Sequence, residues 1–355
     1  MPVTPPKILF LAAQVQPFLL AGIKMLIREY DAHVLIVCWK LAENSPTGFY
    51  EHPNITYIVK DYVDSKEIKT TVLKFNADIV WASGWMDKDY LKWCRALRSQ
   101  GKKVVMGIDN QWKGSWKQRV NCLLSPFFLK RIYTHIWVPG YLQFEYARRL
   151  GFANDKILLN LYIIDTALFN DYYISSRAEK EQDYPKNLVY VGRLVPHKVA
   201  NLLKAFNSLS AADLNGWKLV VIGNGSYEDK QAASNEHISF RPFIQQDELA
   251  DVIRDAGAFC LTSYEEAWGM VIQEFAAAGL PLVISRQCGA QYSMLINNYN
   301  GLLCDGDSVE DIKRSIKQLI SLPAQQLLEM GKRSNHIATA TDPGMWAATL
   351  MSVHK

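Results

Sequence analysis

Ala258–Ser285, AFCLTSYEEAWGMVIQEFAAAGLPLVIS, predicts a strand, a loop, a helix and a second strand in succession. Its apolar start is typical of a buried strand, and the run from about Gly269 to Ala278 favours a helix. Gly279 is suited to ending that helix, and Pro281 cannot continue it, so the apolar residues that follow predict the next buried strand. Units of this kind build parallel α/β sheets.

Two carboxylates flank the start of the predicted helix. Glu266 precedes it and Glu274 lies within it, eight positions later, which corresponds to about 12 Å at the helical rise per residue. Between them, the amides of Gly269, Met270 and Val271 are expected to be free at the helix N-terminus, where phosphate binds readily. Carboxylates for hydroxyl-rich groups, with bare amides between them for a diphosphate, indicate a nucleotide-sugar site.

Two cations lie earlier in the same half of the chain. Arg193 follows a predicted strand, and Lys198 comes five residues later at the expected start of a helix. Ligands of open α/β sheets bind at this edge, beyond the carboxyl ends of the strands. Taken alone, both residues are better explained as solvated surface charges. Their occurrence beside Glu266 and Glu274 favours a binding site.

Length and composition limit the remaining possibilities. A chain of 355 residues favours two domains, and 49% hydrophobic with 21% charged residues is typical of a globular protein with a large core. The net charge of +4 permits an anionic ligand or membrane surface but is too small for a typical nucleic-acid binder. The six cysteines are scattered without a CxxC pair, which indicates reduced thiols and a cytoplasmic protein.

Alternating apolar runs and helical segments predict two doubly wound domains. We expect a first Rossmann-like domain over residues 1–168 that binds the acceptor, and a second over 187–340 that binds the donor. The charged run Ser175–Pro185 predicts an exposed linker over 169–186. Residues 341–355 favour a terminal amphipathic helix that packs back on the first domain.

Four motifs in the second domain carry a family resemblance. They are VGRLVPHK (Val191–Lys198), VIGNG (Val221–Gly225), SYEEAWGMVIQEFAAAGLPLV (Ser263–Val283) and NGLLC (Asn300–Cys304). In this order and spacing the chain resembles the retaining glycosyltransferases of family four, also called group one. The resemblance implies an α/β fold of the GT-B type, with two Rossmann-like domains facing across a cleft. In the first domain the match is to LAGIKMLIREY (Leu20–Tyr30), which looks like the family's glycine-rich loop and first helix, and this match implies that Gly22 of the loop contacts the donor.

The resemblance also implies roles for individual residues. Arg193 and Lys198 would neutralise the donor diphosphate, Glu274 would bind the ribose hydroxyls, and Glu266 would hold the transferred sugar. The donor would be UDP- or GDP-linked, transfer would proceed with retention, and no cofactor or metal ion would be required. The matching position of Gly223 implies a place beside the nucleotide, although a bare turn is the better explanation of this glycine from the sequence alone.

Two further positions complete the expected site, and a third resembles a metal site without belonging to it. The resemblance places Phe243 near the nucleotide base. Asp109 stands where many family members have a sugar-contacting histidine, and it is either a contact of acceptor or donor sugar or the cap of a turn. Asp305-Gly306-Asp307 has the form of a metal-binding motif, but an ordinary loop is the better interpretation of its position.

Trp112–Arg131 interleaves basic and aromatic residues. This pattern suits a segment lying on an anionic membrane, although an amphipathic helix packed on its own domain explains it slightly better. Peripheral membrane binding would agree with a lipid-linked glycan as acceptor, as in the biosynthesis of surface polysaccharides.

Two rival functions share the same fold. A nucleotide-sugar epimerase of the UDP-N-acetylglucosamine 2-epimerase type would act without an acceptor, and a non-catalytic binder would only hold the nucleotide-sugar. The combination of Arg193, Lys198, Glu266 and Glu274 favours a transferase over both.

Overall fold

The computed structural model describes residues 4–39, 50–227, 234–245 and 248–354. The chain divides into two compact units, which we call unit 1 (residues 1–164 with 341–355) and unit 2 (residues 165–340).

Unit 1 is built on a parallel sheet that, over the described residues, has seven strands in the order β3-β2-β1-β4-β5-β6-β7. The strands are β1 Lys7–Ala12, β2 His33–Cys38, β3 Ile55–Val59, β4 Ile79–Ser83, β5 Lys103–Gly107, β6 His135–Trp137 and β7 Ile157–Leu158. The helices between them are α1 Pro17–Tyr30, α2 Ser65–Phe75, α3 Lys88–Ser99, α4 Trp116–Leu124, α5 Leu129–Ile132 and α6 Tyr141–Arg149. The central strands are buried because helices cover both faces, which explains their continuous apolar sequences.

Unit 2 repeats this architecture with six described strands in the order β10-β9-β8-β11-β12-β13. The strands are β8 Asn187–Val191, β9 Lys218–Ile222, β10 Ile238–Arg241, β11 Ala258–Leu261, β12 Leu282–Ser285 and β13 Gly301–Cys304. The helices are α7 Thr166–Gln182, α8 Pro196–Asn207, α9 Ala211–Leu214, α10 Leu249–Asp255, α11 Met270–Ala277, α12 Gln291–Met294, α13 Val309–Ile320 and α14 Ala324–Ala338. Both sheets have the doubly wound strand order, and the predicted Rossmann-like fold of each half is confirmed.

The predicted linker over residues 169–186 is wrong. Most of this stretch belongs to α7, a 17-residue helix of unit 2 in which Phe169 and Lys180 are buried. The Lys180 ammonium donates a hydrogen bond to the carbonyl of Ile253 at 2.7 Å, and burial lowers the pKa of Lys180 to about 7. A helix whose buried face includes a lysine shows no apolar periodicity, so its sequence resembles that of an exposed segment.

The chain ends with helix α15, Pro343–Met351, which belongs to unit 1 and packs on α1. Its Trp346 is 1% exposed, and the indole Nε1 donates to the carbonyl of Leu161 at 2.8 Å. The ring centroid lies 4.6 Å from that of Trp137 and 6.3 Å from that of Phe10. The predicted return of the terminal helix to the first domain is confirmed.

Gly22 explains how α15 approaches so closely. A Cβ atom built on Gly22 would overlap the Trp346 ring, with Cζ3 only 2.5 Å away. The prediction that Gly22 lies in a glycine-rich loop is therefore wrong: the residue is buried within α1, and its missing side chain makes room for an indole.

Candidate functional site

The candidate site of unit 2 lies where the direction of strand succession reverses, between β8 and β11. These two parallel strands are neighbours in the sheet, but their following helices pack on different partners, α8 on α13 and α11 on α7 and α14. The loops after the two strands therefore diverge and leave a crevice beyond the carboxyl ends, which is where open α/β sheets bind ligands.

An ion pair joins the two loops. The Lys198 ammonium, in the first turn of α8, lies 2.5 Å from Oε2 of Glu266, which precedes α11. Both side chains are largely buried, at 16% and 13% exposure. The pairing was not anticipated from the sequence, which assigned the two residues to different parts of the donor.

Arg193 lies in the loop after β8 and is exposed. In the part of the chain that the structure describes, no carboxylate lies within 4.0 Å of its guanidinium, whereas Lys198 is paired. The Tyr190 hydroxyl donates to the carbonyl of Arg193 at 3.1 Å and holds this loop against β8. Burial raises the pKa of Tyr190, the negative charge of Glu266 raises it further, and the positive charge of Arg193 lowers it.

The N-terminus of α11 presents backbone donors beside Glu266. Gly269 caps the helix in the left-handed region, with φ +92°, and a Cβ built there would lie 3.4 Å from the Glu266 Cγ. The first amide of this turn that bonds back is that of Ile272, which donates to the carbonyl of Gly269 at 3.0 Å. Over the described residues, the amides of Gly269, Met270 and Val271 donate to no backbone carbonyl, so they are available to an anion.

Glu274 lies on the same helix, five residues after its N-cap and about 7.5 Å further along the axis. Its side chain is partly buried, and burial raises the pKa of this carboxyl to about 7. Near neutral pH it is therefore present in both the protonated and the ionised form, and both forms accept hydrogen bonds from hydroxyl groups.

Gly223 brings the loop after β9 against the loop that carries Arg193. It adopts φ +146°, and a Cβ atom would overlap the carbonyl of Gly192. The next residue, Asn224, accepts from the Leu194 amide at 2.9 Å through its backbone, and its side chain accepts from the Phe243 amide at 3.1 Å. The turn thus links the half-exposed Phe243 to the Arg193 loop, and its glycine is required for close backbone approach.

Two buried hydroxyl groups at the end of β11 were not singled out from the sequence. Within the described ranges, Thr262 Oγ1 and Ser263 Oγ are buried and have no hydrogen-bond partner. A polar pair directly after a buried strand is the signal that could have found them, because unpartnered buried hydroxyls are costly and usually have a ligand or a water.

Asp109 follows β5 and lines a cavity of about 340 Å³ at the carboxyl edge of the unit 1 sheet. Its Oδ2 accepts from the Tyr162 hydroxyl at 3.0 Å. Trp39 and Trp81 also line the cavity, and among the described residues the Trp81 indole N–H is buried without a partner. Aromatic faces next to a carboxylate and an unused donor form a surface that suits a hydroxyl-rich molecule.

Asp305 and Asp307 are held by their own loop. The Gln287 amide donates to Asp305 Oδ1 at 2.8 Å and to Asp307 Oδ2 at 3.1 Å. Across the described residues, no group of three or more His, Cys, Asp or Glu side chains is arranged to hold a metal ion. These contacts agree with an ordinary loop, and metal independence stays a prediction.

The segment Trp112–Arg131 packs on its own domain only in part, because Trp112 and Cys122 contact the unit 1 core while several other apolar side chains of the segment are exposed. None of the residues of α4 is buried, and Trp116 and Leu123 are 70% and 72% exposed. The membrane interpretation remains a prediction. Among the described helices, none has the length and apolar character needed to span a bilayer.

Comparison with known proteins agrees with this geometry. Residues 174–337 match the family model described as Glycosyl transferases group 1. A D-inositol 3-phosphate glycosyltransferase of Rhodococcus opacus is 32% identical over 151 residues, which are 39% of this chain and 34% of that relative. The chain thus spans about a third of that relative's length.

Solved structures extend the similarity to the whole fold. Anabaena HepE, crystallised with UDP and glucose, has a TM-score of 0.68 and 13% identity, covering 98% of this chain and 99% of HepE. A glycosyltransferase from Rickettsia africae has a TM-score of 0.73 and 13% identity, covering 99% of this chain and 100% of that one. With the two doubly wound units, this similarity confirms the predicted GT-B fold.

Proposed function

We propose that this chain, whose residues 174–337 match the Glycosyl transferases group 1 family model, transfers a sugar from a nucleoside diphosphate to a hydroxyl group with retention of anomeric configuration. The observation that carries the proposal is the charge arrangement between β8 and β11. There an exposed guanidinium, a lysine–glutamate pair and bare helix amides all lie at the ligand-binding edge of one sheet.

The reaction places the largest charge change on the leaving group. The bond between the sugar C1 and the β-phosphate oxygen breaks, and the electron pair stays on the diphosphate. The acceptor oxygen forms its bond to C1 on the same face, and the acceptor hydroxyl proton passes to the departing phosphate oxygen. Arg193, Lys198 and the amides of Gly269, Met270 and Val271 would stabilise this developing charge more than the ground state. This set supplies the positive charge without a metal ion.

Lys198 and Glu266 act together in this scheme. In the pair, the carboxylate fixes the direction of the ammonium, so that a diphosphate meets a cation that is already oriented. The Glu266 carboxylate would also accept a hydrogen bond from a hydroxyl of the transferred sugar. Glu274, further along α11, would accept from the ribose hydroxyls, and Phe243 would contact the base.

The donor is proposed to carry UDP, with GDP as the second choice. The Anabaena neighbour was crystallised with UDP and glucose, and its similarity to this chain extends over the whole fold. The acceptor is proposed to be a glycan or a lipid-linked glycan, as in surface polysaccharide biosynthesis. The Asp109 cavity, with its tryptophans, is suited to a sugar, and the exposed apolar and basic α4 segment is suited to an anionic inner membrane face.

The test is incubation of the protein with a panel of UDP- and GDP-sugars in the absence of acceptor. Slow hydrolysis to the nucleoside diphosphate, with the freed sugar retaining its anomeric configuration by NMR, is the expected result. An epimeric nucleotide-sugar would instead establish the isomerase, and thermal stabilisation without turnover would establish the non-catalytic binder.

Alanine variants test whether turnover of the nucleotide-sugar depends on Arg193 and Lys198. Replacing Arg193 or Lys198 by Ala should lower kcat by about two decades with a smaller effect on donor binding. Lys204→Ala, an exposed lysine on α8 outside the crevice, is the matched control and should leave kcat unchanged. Unaltered turnover in both site variants would refute the assignment.

A further inference from the structure

A second cavity of unit 1 is lined by cations. It has a volume of about 330 Å³ and lies at the amino ends of β5 and β6, at the opposite edge of the sheet from Asp109. Arg98, Lys103, Lys130 and Lys156 line it, and no carboxylate among the residues that the structure describes does so. In the described ranges, the first three have no carboxylate within 4.0 Å, and Lys156 pairs only with the exposed Asp155, at 3.3 Å.

His135 forms part of the cavity wall. The imidazole is 8% exposed, and Nδ1 lies 2.9 Å from the Thr134 hydroxyl. Burial, together with the nearby Lys156 and Lys103, lowers the pKa of His135 to about 4, so the ring is neutral at pH 7. A bound anion would reverse the influence of the two lysines and raise this pKa.

The cavity adjoins an exposed apolar surface through Lys130, which lies on α5 directly after that surface. We call this surface the apolar patch; its members are Trp116, Leu123, Leu124, Phe127 and Phe128, all exposed. The amino-acid sequence from residue 110 to residue 144 contains five Lys or Arg and no Asp or Glu. Because the net charge of the whole chain is +4, the remainder of the chain is net negative. Positive charge and exposed apolar area are thus concentrated in one segment.

We propose that the cavity binds the phosphate of an anionic membrane lipid while the apolar patch enters the boundary between headgroups and acyl chains. Phosphate is the ligand chemistry that an acid-free cavity with four cations selects. The adjoining apolar patch favours a lipid over free phosphate, because a soluble anion requires no exposed Trp, Leu and Phe side chains. Sugar transfer plays no part in this inference, which holds or fails independently of the proposed activity.

The experiment measures binding to vesicles by sedimentation, with phosphatidylglycerol vesicles compared with phosphatidylcholine vesicles. The double variant Lys130→Glu with Lys156→Glu changes two exposed cavity cations and leaves the core intact. Lys66→Glu with Lys69→Glu, on exposed positions of α2, makes the same change of charge outside the cavity and the apolar patch. Leu123→Ser with Phe127→Ser removes apolar area without changing charge.

The wild-type protein should bind the anionic vesicles at least tenfold more strongly than the neutral ones, and less at high salt. The cavity variant should lose about tenfold or more in affinity, the α2 variant less than twofold, and the apolar variant several-fold. On the anionic vesicles, the His135 imidazole should titrate at a higher pH by NMR than in the free protein. Equal losses in the cavity and α2 variants would show general charge attraction and overturn the assignment.

Titration with inorganic phosphate distinguishes a site for a lipid phosphate from a site for a free phosphate ion. A rise in the His135 pKa with millimolar phosphate, without any binding to anionic vesicles, would identify a free-anion site and overturn the lipid assignment. Weak binding of phosphate together with strong binding of vesicles supports it.

Discussion

The contact between Gly22 and Trp346 allows a quantitative test of how the terminal helix is held. Gly22→Ala adds a single methyl group to α1 at the point where a Cβ would overlap the indole ring. The ring cannot move aside easily, because it is buried, packed against Phe10 and Trp137, and hydrogen-bonded to Leu161.

The expected magnitudes follow from these contacts. Overpacking a rigid site costs about 1–3 kcal/mol, and the overlap with a ring places this substitution in the upper part of that range. The higher helix propensity of alanine relative to glycine offsets about 1 kcal/mol of this cost, so the free energy of unfolding should decrease by about 1–2 kcal/mol in total. Trp346→Ala alone should cost about 3–5 kcal/mol, because it removes a large buried ring and the partner of the Leu161 carbonyl.

Combining the two substitutions isolates the contact. With Trp346 replaced by Ala there is nothing for the new methyl group to meet, so Gly22→Ala should then stabilise by about 1 kcal/mol. The coupling energy between the two positions is therefore expected to be about 2–3 kcal/mol, well above the error of a double-mutant cycle. The adjacent substitution Ala21→Gly is the matched control and should cost about 1 kcal/mol in both backgrounds.

The assay is equilibrium urea unfolding followed by circular dichroism, with the transition of unit 1 fitted separately from that of unit 2. Additive effects, with a coupling energy below about 0.5 kcal/mol, would show that the indole does not occupy the space above Gly22. The explanation for the glycine would then be wrong.

Two further predictions concern unit 2. The folded state keeps the proton of Glu274 up to a pH near 7 whereas the unfolded chain releases it near pH 4.5, so the native state binds more protons between these values. The free energy of unfolding should therefore fall by about 1–3 kcal/mol as the pH rises through this window. In Glu274→Gln this decrease should be absent when unfolding is measured at pH 5 and at pH 8. Gly223→Ala should cost about 2 kcal/mol or more and abolish UDP binding by calorimetry, because the new methyl group displaces the Gly192 carbonyl and with it the Arg193 loop. Gly216→Ala is the control, because Gly216 is also left-handed but an added methyl group there would meet only a lysine side chain at 3.6 Å. Wild-type UDP binding in Gly223→Ala, or an equal loss in Gly216→Ala, would contradict the proposal that Gly223 positions the Arg193 loop.

The strands could be located well from the sequence because a fully buried parallel strand is a continuous apolar run. In His33–Cys38 and Lys103–Gly107, every residue after the first is buried, and the sequence of each is a continuous apolar run after its first residue. Helix α7 could not be recognised in this way, because Lys180 lies on its buried face and is satisfied by a carbonyl 73 residues away. Only the tertiary fold supplies that partner.

In the candidate site, too, the sequence identifies individual residues but not the contacts between them. The resemblance identified Arg193, Lys198, Glu266 and Glu274, since each lies in a motif that can be read locally. The pairing of Lys198 with Glu266 joins residues 68 positions apart, and no spacing along the chain indicates it. Gly22 was assigned to a loop because its motif suggests one, whereas the reason for the glycine is an indole more than 300 residues later.

The return of α15 to unit 1 has a consequence for biosynthesis. The ribosome makes most of unit 1 first, but the tryptophan that fills the space between Phe10 and Trp137 follows only after all of unit 2 has been translated. At about 5–20 residues per second, the 176 residues from 165 to 340 take roughly 9–35 s, during which the nascent amino-terminal half exposes an apolar gap. Chaperone engagement of ribosome-bound chains should therefore persist through the synthesis of unit 2 and end only when Trp346 has emerged from the exit tunnel.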